Sequence, residues 1–192
     1  MAINLDCIKM AYKYAQKALE LNDNLDTAHL LIGSVYLLQD QHEKAIAEAE
    51  RAIALNPNGA NNYSGLAGMV GALGRWDESI QLAKKSIRLH PFAPVFYYHF
   101  LGRAYFMTGQ FDESITAFKK ALDVSPNYLP AHAFLAACYS SLDRHAEAAT
   151  AAYEVRRIDP KFNLESYAKT LPYKNKADIE RYIAALRKAG LK

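Results

Sequence analysis

The sequence predicts an all-α fold, a solenoid of antiparallel helix pairs stacked in chain order and closed by a C-terminal capping helix. Three observations carry this. Pro57, Pro91, Pro126 and Pro160 recur at intervals of 34, 35 and 34 residues. Gly33, Ala67, Gly102 and Ala136 keep step with them, each 24 residues ahead of its proline. Between these markers, apolar residues recur at spacings of three and four, which places them on one face of a helix. A repeat of this length is one helix–turn–helix unit that cannot bury its own apolar face and must stack on its neighbours.

Four full units follow in order: 26–59, 60–93, 95–128 and 129–162, with Pro94 as the residue inserted in the longer interval. In the first helix of each unit, offset seven is aliphatic (Ile32, Leu66, Leu101, Leu135), offset eight is small, and offset eleven is Tyr36, Val70, Tyr105 or Tyr139. A turn follows at 39–41, Gly74, Gly109 or 142–144. In the second helix, small residues return at offset twenty (Ala45, Ser79, Ser114, Ala148), and offset twenty-seven is Ala52, Ser86, Ala121 and Val155. Small side chains at matched heights let two helix axes approach toward the lower end of the usual ~8–10 Å separation. An aliphatic at offset thirty (Leu55, Leu89, Val124, Ile158) seals one pair against the next. The proline two residues later cannot continue the helix and fixes where the unit stops.

This pattern resembles the tetratricopeptide repeat over residues 6–162. Its marks are an aromatic-type slot at offset four, an aliphatic and a small residue at seven and eight, Tyr at eleven, Ala at twenty and twenty-seven, and Pro at thirty-two. The third unit, with Tyr98, Leu101, Gly102, Tyr105, Phe118, Ala121 and Pro126, is close to a consensus copy. Departures are His29 and His132 at offset four and Ser79 and Ser114 at offset twenty. The resemblance implies a right-handed superhelix and a role in binding other polypeptides.

The two ends differ from the middle. Residues 1–25 form a partial repeat, second helix only, with Ala11, Ala15 and Ala18 at offsets twenty, twenty-four and twenty-seven and Asp23 in the proline position. Without a polar cap this end leaves Ile8, Ala11 and Tyr12 as a possible assembly surface. Either the chain is cut from a longer protein, or this helix pairs with a partner or a second copy as a homodimer. At the other end, residues 163–192 form a linker and a capping helix. Asn163 is placed to cap a short turn. Asn175, with Asp178 three residues on, resembles a capping box that opens a helix to Ala189. Ile179, Tyr182, Ile183 and Leu186 give that helix an apolar face to cover the last repeat. Residues 161–192 carry eight Lys/Arg against three Asp/Glu. That charge reads first as a solvated face and second as a surface for an anionic partner. The run from Ser166 to Lys174, followed by Leu186, Arg187, Lys188, Ala189, Gly190 and Leu191, resembles C-termini of bacterial proteins in which repeats follow a class III adenylate or guanylate cyclase domain. No catalytic residue carries over.

Composition narrows the function. Apolar residues make up 51% and charged residues 22%, with a net charge of +3, so neither disorder nor a nucleic-acid footprint is indicated. Cys7 and Cys138 stand 131 residues apart, as suits a reducing compartment. No apolar run approaches the ~20 residues of a membrane span and no signal peptide is visible, so a cytoplasmic location is expected. No P-loop, dinucleotide fingerprint, zinc motif or nucleophile elbow occurs, so no catalytic, metal-binding or cofactor-binding residue is assigned. His29 and His132 read as packed rings with a satisfied nitrogen.

The resemblance also implies a groove, lined by offsets two, five, nine and twelve of the first helices. Its candidates are Leu30, Ser34 and Leu37, then Asn61 and Ser64, then Phe96, His99, Arg103 and Phe106. Phe96 and Phe106 are placed to hold an apolar anchor while Arg103 takes a carboxylate in bidentate fashion. The alternative is that these rings pack on neighbouring helices. Leu30 and Ser34 replace the Lys and Asn of the family's chaperone-tail clamp, which argues against that ligand. Gly65, Gly68, Gly71 and Gly74 mark the second unit as softer, or as room for a ligand backbone. The expectation is a non-catalytic protein-interaction scaffold. Two alternatives are a regulatory or oligomerisation segment of a cyclase and a free-standing self-assembling adaptor.

Overall fold

The computed structural model describes residues 5–192; residues 1–4 of the N-terminal partial repeat lie outside them. Eleven helices and no strand occur among the described residues. Helix α1 (Leu5–Leu21) precedes four pairs: α2 (Asp26–Leu38) with α3 (His42–Leu55), α4 (Ala60–Ala72) with α5 (Trp76–Leu89), α6 (Val95–Met107) with α7 (Phe111–Val124), and α8 (Leu129–Ser141) with α9 (His145–Ile158). Each pair packs most closely within itself and then on the next, and the first helices α2, α4, α6 and α8 also touch in sequence. The fold is a solenoid of antiparallel helix pairs.

The small residues permit this closeness. A Cβ built on Gly33 would meet the Ala45 carbonyl oxygen at 2.8 Å, and one on Gly102 would meet the Phe118 ring at 2.7 Å. The serines at offset twenty are hydrogen-bonded departures: Ser79 Oγ donates to Ala67 O and Ser114 Oγ to Gly102 O, both at 2.8 Å. A hydroxyl there occupies a small volume and ties second helix to first.

Histidine in the aromatic slot also has a physical account. Tyr63 donates its hydroxyl to the carbonyl of Pro57 at 3.0 Å, six residues back. His132 Nε2 meets the carbonyl of Pro126 at 2.9 Å and His29 Nε2 that of Asp23 at 3.1 Å, at the same separation. A ring carrying a donor at its far edge fills this slot, whether phenol or imidazole. The turns inside the four pairs share one conformation. Asp40, Gly74, Gly109 and Asp143 all have positive φ, 57°, 82°, 79° and 56°, which glycine adopts at least cost.

The C-terminal segment departs from the expected cap. Asn163 accepts from Ser166 N–H ahead of α10 (Leu164–Ala168), and Asn175 accepts from Ala177 N–H ahead of α11 (Lys176–Lys188). Asp178 does not close a capping box. Its carboxylate accepts from Trp76 Nε1 at 3.1 Å and from Arg181 at 3.2 Å. The helix also reaches beyond the last repeat. It packs on α8, Arg181 donates to the Met107 carbonyl at the end of α6, and Lys174 N–H donates to the Ala72 carbonyl at the end of α4. One buried core therefore runs from Trp76 and Phe106 through Phe134 to Tyr173, Tyr182, Leu186 and Leu191.

Candidate protein-interaction groove

The row of first helices divides into an open part and a filled part. At the open part, Leu30, Ser34 and Leu37 of α2 are half-buried, and Asn61 of α4 is exposed. Ser34 Oγ is spent on the Leu30 carbonyl at 3.0 Å, and Asn61 Oδ1 accepts from Tyr97 at 2.7 Å. Phe96 is 37% exposed, edge-on to Tyr97 at 4.9 Å between ring centres. The glycines of α4 seat neighbouring side chains. A Cβ on Gly65 would collide with Leu30, one on Gly68 with the Phe100 ring and one on Gly71 with Arg103.

At the filled part the candidate side chains are buried, apart from a half-buried His99. Ser64 is fully buried, and Phe106 is 1% exposed, with ring centres 5.5 Å from Tyr182. Arg103, 3% exposed, donates to the Gly68 carbonyl at 3.0 Å. Its guanidinium lies over the rings of Phe100, Tyr173 and Trp76 at 5.1, 5.5 and 5.7 Å. No carboxylate faces it among the described contacts, and burial lowers its pKa. His99 sits among Phe100, Tyr128, Phe134 and Phe118 at 5.6–6.0 Å. Burial, and secondarily the Arg103 charge, lowers its pKa to about 3, so the ring is neutral near pH 7. Burial likewise pushes the Tyr128 phenol up to about 12.

The rings of this filled part come from both the repeats and the tail. Tyr182 stacks on Phe134 at 4.2 Å and 14°, and Phe134 stacks in turn on Phe118 at 4.8 Å and 10°. Tyr173 stands edge-on to Trp76 at 5.6 Å. Arg103 and Phe106 therefore meet this chain's own residues. Tyr173, Tyr182, Trp76 and Asp178 were not singled out from sequence as groove residues. The available signal was a basic tail that nonetheless spaces three tyrosines, Tyr167, Tyr173 and Tyr182, through itself.

Two depressions border these features. A cavity of about 670 Å³ lies between Leu37, Leu38 and His42 on one side and the segment from Lys169 to Lys174 on the other. Between α5 and α7, a crevice of about 670 Å³ is floored by Tyr98, Leu101 and Tyr105 and rimmed by Lys84, Lys120, Asp112 and Glu113. At α1, Tyr12 turns toward α2, its hydroxyl 3.2 Å from that of Tyr36, while Ile8 and Ala11 are half-buried. Among the described residues, the large apolar side chains exposed on α1 are Met10, Tyr14 and Leu21. No group of three or more His, Cys, Asp or Glu that could hold a metal, and no helix long and apolar enough to cross a membrane, occurs among the described residues.

Comparison with known proteins agrees with this architecture. Three family models, each described as tetratricopeptide repeat, match residues 26–58, 59–127 and 105–171. The chain belongs to the tetratricopeptide-repeat family. It is 33% identical over 84 residues to small glutamine-rich tetratricopeptide repeat-containing protein 2 of Mycosarcoma maydis, a match covering 43% of this chain. The matched stretch spans only 23% of that protein's length. Among solved structures, the type IV pilus biogenesis factor PilW superposes with a TM-score of 0.75 at 18% identity, over 95% of this chain and 81% of that one. The thermophilic protein TTC0263 of Thermus thermophilus gives 0.71 at 20% identity over 95% and 92%. YrrB, described as a protein with an unusual peptide-binding site, gives 0.65 at 19% identity over 91% and 90%. These likenesses establish the fold.

Proposed function

We propose that the protein is a non-catalytic scaffold that binds a peptide or partner protein along the row of first helices. The observation that carries this is the occupancy of that row by a peptide-like stretch of its own chain. Residues 171–174 cross it, with a main-chain hydrogen bond from Lys174 to Ala72 and an aromatic anchor, Tyr173, between Trp76 and Arg103. These are the elements of peptide recognition, backbone pairing for affinity and a ring in a pocket for specificity. Leu30, Ser34, Leu37, Asn61 and Phe96 form the open half of the same surface. Free Cys7 and Cys138 suit a reducing, cytoplasmic setting.

An array of short random peptides tests the reading. Peptides retained by the chain should be lost from Leu37→Asp and Phe96→Asp and kept by Lys84→Glu. The reverse pattern would move the site to the crevice between α5 and α7. A second use, self-assembly through α1, is favoured by the exposure of Met10 and Tyr14, 53% and 61%. Light scattering across a concentration series should then show a dimer that Tyr14→Glu dissociates. The cyclase-linked regulatory role rests on the tail sequence, and an in-frame cyclase domain upstream in the gene would establish it.

A further inference from the structure

Five polar atoms on the first helices are sealed from solvent with no hydrogen-bond partner among the described residues: Asn62 Oδ1, Ser64 Oγ, His99 Nδ1, Arg103 Nε and Ser140 Oγ. All but Asn62 fall at groove offsets. A buried polar atom left unpaired costs about 1–3 kcal/mol, and native proteins keep few of them. Their concentration along one row means that the closed arrangement leaves part of this surface's bonding capacity unused. Arg103 is the extreme case. A guanidinium has five donors in a fork matched to a carboxylate, yet here it meets one carbonyl, the Tyr173 phenol and three ring faces, with no opposite charge.

Besides the Lys174 and Arg181 bonds, the cover is held where Arg156 donates to the Gly190 carbonyl and Leu164 N–H to the Lys192 carbonyl. Tyr173 and Tyr182 are its buried rings, and Asp178 holds Trp76 and Arg181. At the far end, Lys188 pairs with Asp143 at 2.6 Å, both exposed. The cavity between Leu37 and Tyr173 opens beside the cover, rimmed by Lys169 and Lys174, with Asp40 as the acidic group on its wall.

We infer that residues 169–192 are a built-in occupant of the groove, displaced by a partner segment that carries an aromatic side chain beside a carboxylate. This rests on the groove reading above. The ring replaces Tyr173 between Trp76 and Arg103. The carboxylate gives Arg103 an opposite charge and a bidentate partner in place of the single neutral phenol that the tail supplies. The basic rim favours the same partner.

The test uses three forms of the full chain: unaltered, loosened (Tyr173→Ala with Tyr182→Ala) and pinned. The pinned form is Asp143→Cys with Lys188→Cys, joined by a short bismaleimide in a Cys7→Ser, Cys138→Ala background. Each is titrated with two labelled peptides, the sequence of residues 169–186 and the same sequence carrying Lys174→Glu. The loosened form should bind both at least about tenfold more tightly than the unaltered chain, and the pinned form more weakly than either. The Lys174→Glu peptide should be preferred by about fivefold, and Arg103→Gln in the loosened form should erase that preference. Equal binding by loosened and pinned chains would overturn the inference. The groove reading would then stand or fall separately on the Leu37→Asp and Phe96→Asp array. Equal affinity for the two peptides would remove the carboxylate from the partner. If the loosened form loses its helicity, hydrogen exchange of the unaltered chain decides. Amides of 169–192 exchanging ahead of those in α6 to α9 support the inference, and exchange in step with them overturns it.

Discussion

His99 makes the stability of this protein depend on pH in a direction fixed by its surroundings. Four aromatic rings surround this half-buried imidazole, Arg103 lies one turn away, and its pKa in the folded chain is about 3. In the unfolded chain an ordinary histidine titrates near ~6.5. The unfolded state therefore binds the extra proton between these values, and stability rises with pH across that window. The contribution is complete above about pH 6.5 and is lost as pH falls toward 3. Each unit of pH is worth ~1.4 kcal/mol, so near pH 5 the loss is about 2 kcal/mol. The assay is urea unfolding near pH 7 and near pH 5 for the unaltered chain and His99→Phe. Phenylalanine fits the ring cage and forfeits no bond at Nδ1, which has none. The other five histidines and all carboxylates are common to both proteins, so their contribution cancels. The unaltered chain should lose about 2 kcal/mol more than the variant. Equal losses would refute the lowered pKa of His99.

Three further perturbations separate the forces at work. Gly102→Ala drives a methyl into Phe118, which is fully buried and stacked on Phe134; overpacking should cost about 1–3 kcal/mol in a denaturant titration. Asp40→Gly relieves positive φ at an exposed turn and should raise the urea midpoint, a gain in stability of up to about 1 kcal/mol. A lower midpoint would contradict the turn geometry. Arg103→Glu places a carboxylate against the Gly68 carbonyl and three ring faces. It should destabilise the fold by about 3 kcal/mol or more, seen as a depressed thermal transition. A variant as stable as the parent would mean that Arg103 is solvated.

What the sequence showed follows from where the information lies. Period, turns and small residues are local or nearest-neighbour features, so Gly33 against Ala45 and Ser79 against Ala67 could be read from offsets. The aromatic slot was legible as a slot, although the reason histidine fits it, the carbonyl six residues back, needed coordinates. The tail was legible as two capped helices with an apolar face. Its destination was not, because Trp76 to Asp178 spans 102 residues and Arg181 to Met107 spans 74. Nothing periodic encodes such pairings. Arg103 shows the same limit: its offset placed it on the groove row, and its burial came from Tyr173, a residue outside every repeat.

Those long contacts also change how the solenoid should behave. In a plain repeat array each unit touches only its neighbours, so units can open one at a time from either end. Here the segment beyond the last repeat touches α4, α5, α6 and α8 together through Lys174, Asp178, Arg181 and Tyr182. It ties three of the four pairs into one body and leaves the first pair with α1 outside the tie. Tyr182→Ala should therefore cost about 3–5 kcal/mol within that body while leaving the exchange of α2 and α3 amides unchanged. A partner that lifts the tail would release the same three pairs at once. Exchange accelerating equally in α2 and in α8 would show instead that coupling passes along the stack, and that the tail is only a cap.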